Sequence, residues 1–164
     1  MDNQLDENKQ LIEAFWQQYL ATLPAGGTLP SITSAWSFGD SPRLADELVG
    51  LVLAGIKTAT CGALWEYEAE GEPVQQVGQL SVVLDGTGRP MCVVETAEVE
   101  IRPYNQVDAQ FASEEGEGDR SLDFWREAHR RFFTRTLPAI GREFSEDMPL
   151  VCERFRVIYP VLKM

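Results

Sequence analysis

The residues best placed to carry out chemistry follow a helix stop in the first half of the chain. Gly55 ends a predicted helix, and Lys57, Thr58 and Thr60 come soon after it. A lysine that loses its proton in a partly apolar pocket can activate a threonine hydroxyl as a nucleophile. Along a strand the two threonines point to one face and Lys57 to the other, so alternation alone does not bring Lys57 and Thr60 together. The alternative interpretation is a surface lysine beside ordinary strand threonines.

A second candidate segment is an acidic loop before a later helix. It runs from Ser113 to Ser121 and combines two glycines with four carboxylates. In one interpretation the loop is solvated, and Asp119 or Ser121 caps the helix that follows. In the other, the glycines let the backbone approach a ligand while Glu115 or Glu117 turns inward. Such a carboxylate can orient an ammonium group, bind a divalent cation or accept a hydrogen bond from a base edge.

Histidine and cysteine offer fewer possibilities. His129 is the only histidine, so a multi-histidine metal site is excluded and a histidine triad would need this residue. It lies on the inward face of a predicted helix, which favours a half-buried structural histidine. The cysteines at Cys61, Cys92 and Cys152 fit neither a disulfide framework nor a zinc knuckle. Cys61 could act as a nucleophile with Lys57 as its cationic neighbour, but an inert core thiol is the interpretation that we favour.

Apolar periodicity predicts the elements that position these residues. The predicted helices are 7–23, 42–54 and about 121–135, and the predicted strands are 58–61, 80–84, 91–96, 99–101 and 151–159. Ser41 as the N-cap, Pro42 at the first helical position and Gly55 beyond the end define the second helix. Long excursions between the strands, without regular alternation of helix and strand, predict an α+β fold with a small curled sheet or barrel.

Composition and charge limit the class of protein and of partner. The 164 residues, 44% of them hydrophobic and 24% charged, are typical of one globular domain. No apolar run approaches the roughly 18 residues of a membrane span. The polar N-terminus does not resemble a secretory signal, so we expect a cytoplasmic location. The formal charge of −12 disfavours coating of a long duplex, but it is compatible with binding of a nucleoside or a short strand.

Three motifs in order resemble the bacterial branch of the ASCH domain family. They are Phe38–Gly39–Asp40, the lysine turn from Gly55 to Thr60, and the stretch from Glu115 to Arg126 with His129 behind it. The resemblance runs from about Trp36 to Tyr159. It implies a PUA-like β-barrel with flanking helices and a cleft beside the lysine turn. The corresponding division of the chain is an N-terminal helix and connecting loop at 1–34 and an ASCH domain at 35–160.

The resemblance also implies functions. Family members are thought to bind RNA or nucleotide-like ligands, and some small relatives remove an acyl group from N4-acylated cytidine. These amidohydrolases use a lysine, a threonine three residues later and a glutamate, which match Lys57, Thr60 and either Glu115 or Glu117. Thr60 would attack the acyl carbon, Lys57 would take its proton, and the glutamate would position the leaving amine. Other relatives are described as metal-stimulated ribonucleases, for which Glu117 and Asp119 would hold the metal.

Further side chains complete the predicted ligand site. Aromatic faces hold nucleobases, and Trp36, Phe38 or Tyr67 could stack on one, although ordinary packing is the alternative for each. The predicted ligand-binding residues also include Asp40, Thr58, Asp119 and Ser121.

One departure from the family affects the expected partner. Many ASCH domains carry a basic residue four positions after the lysine, where this chain has Cys61. The missing cation weakens the expectation of polynucleotide binding more than that of nucleoside chemistry. We therefore predict a nucleoside-like small molecule or a short single-stranded RNA as the partner, with no cofactor and no metal, no membrane and no long duplex. A non-catalytic RNA- or nucleotide-binding module is the alternative, and the oligomeric state is left open.

Overall fold

The structure is a computed structural model that describes residues 2–162. The α-helices are α1 (Asp2–Leu20), α2 (Pro42–Leu53), α3 (Leu64–Glu70), α4 (Ala109–Glu115) and α5 (Leu122–Thr136). The strands are β1 (Ser34–Ser37), β2 (Ala59–Ala63), β3 (Leu80–Leu84), β4 (Pro90–Pro103) and β5 (Pro149–Tyr159). Two short 3-10 helices span Tyr104–Gln106 and Leu137–Ile140. None of the helices in the described range is long and apolar enough to cross a membrane.

The strands form one mixed sheet in the order β1-β3-β4-β5-β2. β1 runs parallel to β3, whereas the pairs β3–β4 and β2–β5 are antiparallel. The predicted strands 80–84 and 91–96 form the hairpin of β3 and β4, and β4 continues without a break through 99–101, which was predicted as a separate strand. The α+β class predicted from the sequence is confirmed.

The chain folds into two compact units, through both of which β4 and β5 pass. The first unit comprises the residues up to 55, 78–95 and those from 156 onward. Its core contains Trp16 and Tyr19 from α1 together with Leu80, Val82 and Val93 from the sheet. The aromatic side chains on the inward face of α1 are therefore core packing.

The second unit comprises residues 56–77 and 96–155 and contains both candidate segments. Its apolar core joins α4, α5 and the strands β2 and β5, with Phe111, Trp125, Phe133, Leu150 and Cys152 among its buried members. Because this core is apolar, any charge placed beside it needs a partner.

The structure corrects the prediction that Ser113–Ser121 is entirely a loop. Residues 113–115 are the last turn of α4. Asp108 caps the start of this helix by accepting a hydrogen bond from the Phe111 backbone N–H, and Gly116 ends it in a left-handed conformation with φ of 77°. A seven-residue helix is too short for its apolar periodicity to be visible in the sequence.

Three further elements differ from the prediction. α1 begins at Asp2 and ends at Leu20 rather than spanning 7–23, and side-chain hydrogen bonds four residues apart, such as Asn3 to Glu7, support its polar first turns. β1 and α3 were not predicted at all. β1 has only four residues, and two of them are exposed, so its sequence resembles that of a loop. Its pairing with β3 identifies it as a strand.

Candidate functional site

The lysine turn is held by backbone hydrogen bonds on both sides. Ser41 and Pro42 begin α2 as predicted, and Gly55 follows the helix with φ of 76°. The Thr58 backbone N–H donates to the carbonyl of Glu114 at 2.8 Å, and the Thr58 carbonyl accepts from the Phe155 N–H at 3.0 Å. These bonds attach the turn to the end of α4 and to β5. The position of Lys57 is therefore set by the backbone before its side chain makes any contact.

Gly116 allows the acidic segment to approach the lysine turn. A Cβ atom at this position would lie 2.8 Å from the backbone carbonyl oxygen of Ile56, closer than real Cβ contacts permit. Its left-handed φ is a second reason for glycine. The sequence predicted that a loop glycine lets the backbone approach a ligand. Here the close approach is to the protein's own lysine turn.

Lys57 and both candidate glutamates come together. Lys57 is only 2% exposed, and its Nζ donates to the Glu115 Oε1 at 3.2 Å and to the Glu115 carbonyl oxygen at 3.3 Å. The Glu117 Oε2 lies 3.5 Å from the same Nζ. Glu115 is 1% exposed, whereas the Glu117 side chain keeps 24% of its surface. The sequence left open which of the two glutamates turns inward. In the structure Glu115 is buried, whereas Glu117 still reaches solvent.

The second oxygen of Glu115 is also engaged. The Trp125 indole N–H donates to Oε2, and the His129 Nε2 lies 3.4 Å from the same oxygen. Burial by itself raises the pKa of Glu115, but the Lys57 charge and then His129 outweigh it and hold the pKa at about 2. Glu115 is therefore an ionised carboxylate at neutral pH. Its donors fix its position, as expected of a group that organises a site.

His129 is half-buried, as predicted, and is part of this charged group. Its Nδ1 lies 2.8 Å from the backbone carbonyl oxygen of Trp125, which can only accept, so Nδ1 carries a hydrogen. Its Nε2 faces the Glu115 carboxylate, so the doubly protonated ring satisfies both contacts. Burial lowers the pKa of His129, but Glu115 more than compensates and the net shift is upward. We call Lys57, Glu115, Glu117, Trp125 and His129 the Lys57 cluster.

Cys61 approaches the cluster from β2 but is not an activated thiol. Burial and the charge of Glu115 raise the pKa of Cys61 well above its ordinary value, despite the opposing effect of Lys57. This agrees with the interpretation of an inert core thiol. Potential ligand atoms of Cys61, Glu115 and His129 lie within 4.8 Å of one another. The cluster nevertheless does not fit a metal, because the Glu115 oxygens are already engaged by Lys57, Trp125 and His129.

Thr60 lies on the other face of β2. In the antiparallel register Cys61 pairs with Cys152, and Thr60 pairs with Glu153. Successive residues of a strand alternate between faces, so Thr60 points away from the face on which Cys61 meets Glu115. The structure thus joins Lys57 to both glutamates and directs Thr60 toward Glu153. The predicted role of Thr60 as the nucleophile stays a prediction.

Glu153 is a polar residue of this region that the sequence analysis missed. It is 5% exposed, and its Oε1 has no hydrogen-bond partner within the described range 2–162. Burial raises its pKa to about 7. A signal was present in the sequence, because Glu153 lies at an alternate position between Val151 and Phe155 in the predicted strand 151–159, so the three share one strand face. A carboxylate that shares a strand face with two apolar neighbours is unusual, because such a face packs inward and carboxylates are rarely buried.

The remaining predicted ligand residues are placed as follows. Trp36 and Phe38 belong to the first unit, where their rings meet edge to face at 4.8 Å between centroids. Asp40 is exposed just before α2, and Thr58 is exposed within the lysine turn. Tyr67 is half-buried on α3, with its ring close to Gly62. Ligand contacts by these residues stay predictions.

Asp119 and Ser121 shape the start of α5. The Ser121 hydroxyl oxygen accepts from the Phe124 backbone N–H and is the N-cap of the helix. The Asp119 Oδ1 accepts from the Ser121 backbone N–H at 2.9 Å, and Asp119 is exposed. One of the alternatives left open by the sequence, capping by Asp119 or Ser121, is thereby resolved in favour of Ser121. The metal site predicted for Glu117 and Asp119 is not supported, because Glu117 pairs with Lys57 and Asp119 with the helix start.

Comparison with known proteins gives consistent matches. The family model described as ASCH domain matches residues 34–159. A crystal structure of an ASCH domain from Lactobacillus crispatus JV V101 is 41% identical with a TM-score of 0.83, and the match covers 92% of this chain and 95% of that one. A crystal structure of a protein from Enterococcus faecalis V583 is 39% identical with a TM-score of 0.80, covering 91% of this chain and 88% of that one. No curated protein matches the chain.

Proposed function

This chain belongs to the ASCH domain family and has its α+β fold, and from that premise we propose that it binds a nucleoside-sized ligand beside Lys57. Family members are thought to bind RNA or nucleotide-like molecules. The observation that carries the proposal is the meeting of Lys57 with Glu115 and Glu117, the two segments that the family motifs singled out. The two glutamates have different roles in this proposal, since Glu117 is partly exposed and Glu115 is buried.

Glu117 is the residue that we assign to ligand contact. Its Oε2 lies 3.5 Å from the Lys57 Nζ while a quarter of its side chain is exposed to solvent. A carboxylate in this position accepts a hydrogen bond from an exocyclic amine such as that of cytosine. Glu115 has the supporting role, because its two oxygens are already bound by Lys57, Trp125 and His129. The buried Lys57 side chain thus holds Glu117 in place, and Glu117 is the acceptor that a ligand can reach.

The binding proposal is tested by titration calorimetry with cytidine, N4-acetylcytidine and a short single-stranded RNA. We expect the nucleosides to bind and Glu117→Gln to weaken binding about 10-fold, since a hydrogen bond to a charged group is worth roughly 1.5–3 kcal/mol. Glu127→Gln is the matched control, because Glu127 is exposed and pairs only with its helical neighbour Arg131 among the contacts described. Nucleoside binding that is absent, or unchanged in Glu117→Gln, would contradict the proposal.

Salt separates the nucleoside-binding proposal from the binding-module alternative. Affinity for RNA that falls steeply between low and high salt indicates several phosphate contacts and favours a polynucleotide-binding module. We expect a shallow dependence and a nucleoside affinity close to that for the strand.

Amide hydrolysis is a second candidate function, favoured by the direct pairing of Thr60 with the buried Glu153. Thr60 is half-buried and lies three residues from Lys57, at the spacing that the resemblance implies for a nucleophile. Hydrolysis of N4-acetylcytidine would release acetate and cytidine. We expect Thr60→Val to abolish acetate release and Thr134→Val, at an exposed position of α5, to leave it unchanged. Full activity in Thr60→Val, or none in the unmodified protein, would exclude this reaction.

A further inference from the structure

Thr60 and Glu153 face each other on a strand face that the Lys57 cluster does not use. They are direct partners in the antiparallel register of β2 and β5. Side chains directly opposite in such a pair lie on one face with their Cβ atoms about 4.5–5.5 Å apart. A glutamate side chain spans that separation, so its carboxyl group can reach the threonine hydroxyl by rotation of its side chain. Thr60 is half-buried, whereas Glu153 is almost fully buried.

Glu153 has hydrogen-bonding capacity that the fold does not use. Buried polar atoms in native proteins are nearly always paired, yet the Oε1 of Glu153 lacks a partner within residues 2–162. Leaving such an atom unpaired destabilises the folded state. Burial raises the pKa of Glu153 to about 7, so near neutral pH the group is present in both forms. A base that titrates near the working pH is the most effective proton acceptor.

Tyr67 supplies a hydrogen-bond donor on the same face. Gly62 lies two residues after Thr60 in β2, so both are on the same strand face. The Tyr67 ring lies over Gly62, and a Cβ added to Gly62 would be 3.3 Å from that ring. Burial and then the charge of Glu153 raise the pKa of Tyr67, so its hydroxyl keeps its proton at neutral pH. A protonated phenol beside a nucleophile can stabilise the oxygen charge that develops during acyl transfer.

The Lys57 side chain is committed elsewhere. Its Nζ donates to Glu115 and lies within ion-pair distance of Glu117, on the other side of β2 from Thr60. The proton-accepting role that the resemblance implied for Lys57 therefore has a better-placed candidate in Glu153.

We propose that Glu153 is the general base that activates Thr60, with Tyr67 as the hydrogen-bond donor to the developing oxyanion. This inference rests on the acyl-transfer chemistry of the second candidate function and assigns its base. The Thr60 Oγ1 forms a bond to the acyl carbon, its proton moves to the Glu153 carboxylate, and the carbonyl electron pair moves onto oxygen. The bond from the acyl carbon to nitrogen then breaks, and the amine leaves with the proton from Glu153. Water attacks the acyl-Thr60 ester, gives a proton to Glu153 that passes to Thr60 Oγ1, and the carboxylic acid is released.

The test uses p-nitrophenyl acetate, which reports an activated hydroxyl without any nucleoside. The protein is incubated with the ester, p-nitrophenolate release is followed, and the acetylated residue is located by mass spectrometry. We expect acetylation of Thr60, with a rate that rises with pH to a plateau and a midpoint near the pKa of Glu153, about 7. Glu153→Gln is expected to lower the rate on the order of 10²-fold and to remove this pH dependence.

Matched variants separate catalysis from structural damage. Glu72→Gln changes an exposed glutamate and is expected to keep the full rate and pH profile. Thr60→Val is expected to abolish acetylation at this site. If Glu153→Gln does not fold, Glu153→Asp retains a carboxylate and is expected to lower the rate while keeping a pH midpoint.

N4-acetylcytidine is assayed in parallel so that the two proposals fail separately. Glu153-dependent acetylation of Thr60 without turnover of N4-acetylcytidine supports the base assignment and contradicts the nucleoside substrate. Turnover of N4-acetylcytidine by Glu153→Gln with an unchanged rate and pH profile supports the substrate and overturns the base. Absence of acetyl-Thr60 in the unmodified protein also overturns the inference.

Discussion

Buried ionisable side chains dominate the residue scale of this molecule. Glu115 and Glu153 are both carboxyl groups with almost no exposed surface, yet their environments shift their pKa values in opposite directions. Three donors surround Glu115 and hold its pKa at about 2, whereas burial without a compensating charge raises the pKa of Glu153 to about 7. One is a permanent anion that organises its neighbours, and the other exchanges a proton near neutral pH.

The contrast predicts a specific pH dependence of stability for Glu153→Gln. Glu153 binds a proton more tightly in the folded state than in the unfolded state, where its pKa is near 4.5. The native protein therefore loses about 3 kcal/mol of unfolding free energy from this group as pH rises from 4.5 through 7. Glutamine does not ionise, so the variant is expected to gain about that much relative to the native protein between pH ~4 and ~8. Denaturant unfolding across this pH range measures it.

Glu115 gives the opposite pH dependence and serves as an internal reference. Its folded-state pKa is depressed, so its contribution is present above its ordinary pKa of 4.5 and is lost as pH falls toward 2. Loss of stability on the acid side is thus expected in both native protein and Glu153→Gln. A stability difference between the two proteins that stays constant from pH ~4 to ~8 would contradict the raised pKa of Glu153.

Residue types in the sequence predicted part of the site. Lys57 was identifiable because it follows the glycine that ends a predicted helix. Glu115 and Glu117 were identifiable because they flank a glycine shortly before another predicted helix. The role of Trp125 was not identifiable from the sequence, since its indole N–H contact with Glu115 depends on the packing of α5 against α4. Glu153 was missed because its partner Thr60 is adjacent only through the pairing of β2 with β5.

At the scale of elements, the end of α4 is the feature that assembles the Lys57 cluster. The helix presents the Glu114 carbonyl to the Thr58 N–H and the Glu115 side chain to Lys57. Gly116 then turns the chain in a left-handed conformation within 2.8 Å, measured from an added Cβ, of the Ile56 carbonyl. Loss of that approach would separate the two segments that carry the site.

Two glycines that end helices test this close approach. Gly116 and Gly71 both follow helices with left-handed φ, of 77° and 68°, but only Gly116 has atoms within 4 Å of an added Cβ. We expect Gly71→Ala to cost roughly 1–2 kcal/mol for the backbone conformation. Gly116→Ala is expected to cost a further 1–3 kcal/mol, roughly, because the backbone of Ile56 cannot yield easily. Guanidinium unfolding of both variants measures the difference, and equal losses would contradict the steric argument.

Element prediction from the sequence succeeded where local chemistry marks the limits. The Ser41 cap, Pro42 and Gly55 define α2, and apolar periodicity located β3 and the first part of β4. The short helices α3 and α4 and the strand β1 have too few residues for a periodic pattern. Their formation depends on contacts with residues distant in the sequence, and a short stretch of sequence does not show such contacts.

At the scale of the whole molecule, the charge distribution limits the partner more than the net charge does. The formal charge is −12, and several arginines form ion pairs with glutamates of the same chain, namely Arg130, Arg131, Arg154 and Arg156. Paired arginines are less available for phosphate contacts, on which polynucleotide binding depends. A nucleoside-sized ligand, which needs few such contacts, agrees with this distribution.

The order of the strands is the part of the whole fold that local sequence patterns could not supply. β1 lies beside β3 in parallel, and β2 lies at the other end of the sheet beside β5. Both pairings join segments that are far apart in the chain. The α+β class followed from composition and spacing, and the family motifs supplied the fold.

The distance in sequence between Lys57 and Glu115, 58 residues, has a consequence for how the protein folds. A lysine cannot leave water at low cost until its counter-ion arrives, so the turn has no stable buried state of its own. Contacts of such long range form only after a large loop has closed, which slows folding. The turn and the end of α4 are thus expected to become ordered together, as one cooperative step late on the folding pathway.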